Sequence, residues 1–101
     1  MERKLIVAIV RPFLLDKIVV ALENIEKLPG ITITEAEGFG HRLRNTLDDA
    51  LNPFHPKKQI EIAAPVEMVE KIVEVIRKNA HTSIKGDGII WVIPVEKTIV
   101  I

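Results

Sequence analysis

The chain has no cysteine and no tyrosine. Without cysteine there are no disulfides, thiolate metal sites, iron–sulfur clusters or thiol nucleophiles. Without tyrosine one further nucleophile and one common phosphorylation target are gone. Aromatic residues are scarce, three Phe and one Trp, and 14 basic residues cancel 14 acidic ones. A neutral chain lacks the basic footprint of a nucleic-acid binder, so no nucleic-acid partner is expected. Long apolar runs are missing too. Leu5–Val10 and Ile89–Val95 fall far short of the roughly 20 residues that span a bilayer. The amino terminus has no signal-peptide apolar region or small-residue cleavage site. The expectation is a single cytoplasmic domain over residues 1–101, not membrane-spanning.

What the chain does have is β-branched residues, with Ile and Val together at 27 positions. Such an excess points to strands buried on both faces, or to a subunit that hides a face against copies of itself. Leu5–Val10 reads as a buried strand. After Pro12, Leu15, Ile18, Val19, Leu22 and Ile25 lie on one helical face, and Pro29-Gly30 ends that helix. Ile31–Thr34 alternates like a half-exposed strand, which Gly38-Phe39-Gly40 breaks. Residues 41–57 show no strong period and read as a long loop, with room for a short helix where Leu43, Leu47 and Leu51 recur every four residues. Gln59–Ile62 alternates again. Pro65 opens a helix whose face is Val66, Val69, Ile72, Val73, Ile76 and Ala80. A loop at 81–88 leads to a second buried strand, Ile89–Pro94, and Thr98–Ile101 could add a short edge strand.

The order is an internally duplicated strand–helix–strand unit. Two such units fold as an α+β, ferredoxin-like βαββαβ sandwich, a four-stranded antiparallel sheet with two helices on one face. The uncovered face would leave β-branched residues in water, so self-association is expected.

The chemistry is sparse. Ser83 is the only serine, flanked by His81 and Asp87 in one loop, where a converging triad is not expected. No nucleophile–base–orienter set can be assembled, and an enzyme is not expected. His41, His55, His81 and Asp48-Asp49 could ligate zinc, copper or nickel, with His41, His55 and Asp48 the candidate metal set, although no helical His-x-x-His spacing supports it. Thr82-Ser83-Ile84-Lys85-Gly86-Asp87-Gly88 runs from helix to strand. Its glycines can turn N–H groups into an anion concavity beside Lys85, or simply form a tight turn.

Several segments together resemble the PII signalling family. They are Ile9-Val10-Arg11-Pro12-Phe13, Thr32-Ile33-Thr34-Glu35 with Gly38-Phe39-Gly40, Ile60-Glu61-Ile62 before Pro65, and Thr82–Gly88 running into Ile90-Trp91-Val92. The resemblance covers nearly the whole chain. It implies a homotrimer that binds an adenine nucleotide (ADP, AMP or ATP, with Mg possible) between subunits. It further implies that a T-loop, here residues 41–57, docks onto a target protein such as a transporter, enzyme or regulator. The nucleotide or anion site would comprise Gly38, Phe39, Gly40, His41 and Arg42 with Thr82, Ser83, Lys85, Gly86, Asp87 and Gly88. His41-Arg42 stands where the family commonly has Arg-Gln, Ser83 where it has Gly, Ile89 where it has Lys, and Val100 at the position of one carboxy-terminal arginine. Arg42, Lys85 and the Lys57-Lys58 pair are cations that can reach an anion from neighbouring positions. A PII-like sensor of metal ions or bicarbonate, in transport or ion tolerance, is the alternative.

Overall fold

A computed structural model of the protein describes residues 2–39, 54–83 and 86–101. Strand β1 (Arg3–Val10) leads through a single 3-10 turn, Pro12–Leu14, into helix α1 (Leu15–Glu23), and β2 (Thr32–Phe39) follows. The second half repeats the plan with β3 (Phe54–Pro65), α2 (Val66–Ala80) and β4 (Gly88–Val95). The strands form one sheet in the order β2-β3-β1-β4, and every neighbouring pair is antiparallel. This is the ferredoxin-like architecture that the duplicated pattern predicts.

The core forms where one strand face meets two helical stripes. Ile6, Ala8 and Val10 of β1 and Ile60, Ile62 and Ala64 of β3 alternate onto the helix side and are buried. Ile18 and Leu22 of α1 and Val69, Ile72 and Ile76 of α2 close over them. Pro12 begins its turn where the missing N–H costs nothing. Glu67 in the first turn of α2 and Arg77 and Lys78 in its last complement the helix dipole. The chain leaves α1 at Asn24, short of the expected Ile25, and Lys27 takes a left-handed φ of 62°. Ile25 still packs on the core from outside the helix.

Four expectations need correction. The break expected at Gly38 does not occur, and β2 runs on to Phe39. The loop expected over residues 41–57 is too long at its far end, because Phe54–Lys57 belong to β3. The cause is cross-strand pairing: Ala36, Glu37, Gly38 and Phe39 face Lys57, Pro56, His55 and Phe54. Since β1 stops at Val10 opposite Lys58, these four pairs form a two-stranded arm beyond the rest of the sheet. The strand expected as buried, Ile89–Pro94, lies instead at the sheet edge, with Ile89 59%, Trp91 42% and Ile93 44% exposed. These three alternate onto the sheet side opposite the helices, while Ile90 between them turns inward and packs against the core. Thr98–Ile101 is not a strand. Thr98 and Val100 line a groove with Arg3, Leu5, Glu61 and Ala63, so the tail lies beside β1, whose two edges β3 and β4 already occupy.

Candidate functional site

The carboxylate of Asp87 organises one end of the sheet. Thr82 donates its backbone N–H to Asp87 Oδ2 at 2.5 Å and its hydroxyl to Oδ1. Arg11, immediately after β1, brings Nε to 3.5 Å from Oδ1. His81 Nδ1 lies 3.7 Å from Oδ2. Arg11 and Asp87 are 16% and 17% exposed, so the pair is largely out of water while the His81 side chain is exposed. Burial pushes the Asp87 carboxyl up, yet the two Thr82 hydrogen bonds and the charges of Arg11 and His81 together outweigh it and leave it below the ordinary carboxylate value.

Backbone geometry brings these groups together. Gly88 opens β4 opposite Val10 with φ of 154°, and a Cβ there would stand 2.1 Å from the Ile9 carbonyl oxygen. Only glycine lets β4 start this close to β1, which places Asp87 beside Arg11. Gly38 meets only a side chain. A Cβ at 38 would come 3.3 Å from Lys57 Cγ and 3.4 Å from its Cε, so the lysine stem lies across the bare backbone.

Lys57 and Lys58, adjacent in sequence, part company here because successive strand residues face opposite sides. Lys58 turns to the helix side and pairs with Glu35 at 2.8 Å. Lys57 turns to the uncovered side. Its amine is held below the ordinary lysine value first by burial and then by Arg11, with Asp87 opposing. Arg11 and Lys57 thus both feel the one carboxylate, Arg11 in direct contact with it. The junction has an excess of positive charge, the electrostatic condition for holding a small anion.

The candidate residues of the sequence reading divide accordingly. Gly38, Thr82, Asp87 and Gly88 belong to this junction, with Gly86 half-buried beside Asp87 and Ser83 exposed. Phe39 lies at the tip of the described arm, on the helix side with Phe54. Gly40, His41, Arg42, Asp48 and Lys85 lie outside the described residues. Of the set His41, His55 and Asp48 only His55 is described, opposite Gly38, and His81 lies beside Asp87. Among the described residues no three His, Asp or Glu side chains gather into a metal-binding group. Arg11 was missed as a site residue, although a cation at the end of a buried strand was its visible signal.

Fold and junction define a class: a ferredoxin-like domain that gathers cations and glycine turns at one end of its strands. The family model of nitrogen regulatory protein P-II matches residues 3–101, and the chain belongs to that family. It is 40% identical over 100 residues to the "Nitrogen regulatory protein P-II" of Azospirillum brasilense and to that of Rhizobium meliloti. A Haemophilus influenzae protein of the same name is 37% identical. Each comparison covers 95% of this chain and 88% of the relative. P-II proteins are regulatory signal transducers, and membership makes this chain a signalling protein of the nitrogen-regulation type. Nothing favours the metal or bicarbonate alternative. Among the described residues no helix is long and apolar enough to cross a membrane.

Proposed function

We propose that the chain is a non-enzymatic sensor, a single domain that binds an adenine nucleotide at the Asp87 junction and reports its occupancy to a target protein. The observation that carries this reading is that Arg11 and Lys57 are both set against one carboxylate at the glycine-dependent start of β4. A phosphate group would meet Lys57 and Arg11, with N–H groups of the 82–88 segment; the resemblance adds Lys85, Gly40, His41 and Arg42 to the same site. Mg would serve as a phosphate counter-ion. The part of the T-loop segment outside β3, residues 41–53, would contact the target. Binding would favour one arrangement of that segment over others.

Assembly as a homotrimer belongs to the same proposal, in the cytoplasm where nucleotides are abundant. Ile89, Trp91 and Ile93 alternate on the uncovered sheet side and remain substantially exposed in a single chain. Apolar surface of this kind is normally covered by a partner.

A charged hydrogen bond contributes about 1.5–3 kcal/mol net. Losing the one from Lys57 would weaken binding about 10- to 150-fold. Titration calorimetry against ATP, ADP, AMP and cyclic AMP, with and without magnesium, tests the reading. Micromolar binding of at least one nucleotide, weakened by that factor in Lys57→Gln, is expected. A silent panel on folded protein, or an unchanged affinity in Lys57→Gln, would overturn it.

A further inference from the structure

His81 touches the Asp87 cluster but takes no part in the anion reading. It caps the carboxy-terminal end of α2 with an extended backbone. Its Nδ1 stands 3.7 Å from Asp87 Oδ2 while the side chain stays 77% exposed. The other carboxylate oxygen faces Arg11 Nε at 3.5 Å, and Thr82 donates to both oxygens. One carboxylate therefore stands between a guanidinium and an imidazole. A guanidinium keeps its charge throughout, whereas histidine as a side chain changes charge between about pH 5 and 8. The remaining charges around His81 come from each neighbouring element. Arg77 and Lys78 lie in the last turn of α2, and Arg77 is engaged by Glu74 at 2.8 Å. Arg11 follows β1 on the far side of Asp87, and Lys57 of β3 feels both of them. Arg77, His81 and Asp87 line one open groove of about 460 Å³ between α2 and β4.

With His81 neutral, Arg11 and Lys57 exceed Asp87 by one positive charge; with His81 protonated the excess is two. The added proton acts in two ways of the same sign. It places a further charge across the carboxylate from the anion, and it gives Asp87 a second cation, so that the carboxylate competes less for Arg11. We propose that His81 is the proton-sensitive member of the anion site, pairing with Asp87 when protonated so that phosphate-bearing ligands bind more tightly as pH falls from about 8 to about 6. The inference rests on the sensor reading for the place of the anion and adds the regulation of that site by pH. Because the His81 side chain is largely exposed, the gain is modest, about three- to tenfold for a dianion in dilute salt.

Nucleotides change their own charge in this pH range, so the probe is sulfate, a dianion throughout it. Nitrogen-15 correlation spectra of the full chain, titrated with sodium sulfate at pH 6 and at pH 8 and equal ionic strength, give both affinities. The same spectra report whether each variant is folded. Wild type should bind about three- to tenfold more tightly at pH 6. His81→Gln should keep the weaker affinity at both pH values, and His81→Lys the tighter one. Lys57→Gln should weaken binding at both and preserve their ratio. Equal affinities in wild type, or an undiminished ratio in folded His81→Gln, would overturn the proposal while leaving the anion site in place. Sulfate that binds at neither pH would overturn it as well, and the nucleotide panel then judges the sensor reading separately.

Discussion

Replacing Gly88 with alanine tests how the junction is built. The new Cβ would stand 2.1 Å from the Ile9 carbonyl oxygen, an approach that no ordinary contact reaches, and the φ of 154° is one that side chains rarely adopt. The atom met is backbone in a strand paired on both sides, so it has little room to give. Relief requires β4 to peel from β1 at its first pairs, Val10 with Gly88 and Ile9 with Ile89. A residue held in a sparsely populated backbone region costs about 1–3 kcal/mol, and each ladder hydrogen bond lost adds about 1 kcal/mol. The expected destabilisation is about 2–5 kcal/mol, a large share of the roughly 5–15 kcal/mol that holds a domain together. Gly30→Ala is the matched control, since a Cβ there meets nothing within 4 Å; it should be neutral or slightly stabilising. Urea denaturation followed by circular dichroism, with all proteins at one concentration, reads both. A Gly88→Ala protein within about 0.5 kcal/mol of wild type, inside the range of bland surface changes, would refute the close-approach argument.

Acid stability should depend on Asp87. Its folded value is lowered, so the stabilisation it contributes is present above the unfolded carboxylate value and is lost as pH falls through the folded one. Asp87→Asn should therefore cost stability at pH 7 and show a shallower loss below pH about 4, measured by denaturation across pH. Lys57 should show the same sign in a higher pH window, for a different reason: its charged form is the one the fold disfavours. Its folded value is lowered, so stability rises as pH climbs from the folded value to the unfolded one, and inorganic phosphate at the junction should move its titration back up. Carbon-13 spectra of the lysine Cε groups can follow this, and a Lys57 that titrates with the other lysines and ignores phosphate would contradict the charge excess.

Much of this protein was legible without coordinates, for identifiable reasons. The helical stripe Val69, Ile72, Ile76 and Ala80 is buried as its spacing requires. Helix periodicity is local, and α2 has no competing signal. The arm was not legible. Phe54–Lys57 contain a proline and two charged or titratable residues, which read as loop, and only pairing with Ala36–Phe39 makes them strand. Gly38 looked like a strand breaker because glycine lacks intrinsic strand preference; in the sheet it is the bare site over which the Lys57 stem passes.

The sequence by itself determined the element types, the duplicated βαβ plan and the family, because alternation, helical period and motif order are properties of neighbouring residues. It also carried the β-branched excess that forecasts an uncovered apolar face. Only the tertiary structure decided that β4 is an edge, that Lys57 and Lys58 serve opposite faces, and that Arg11 stands beside Asp87, 76 positions away in the numbering. Those outcomes depend on strand order and register. Register is set by which residues 15 to 92 positions apart bury each other best, a comparison that no local pattern contains.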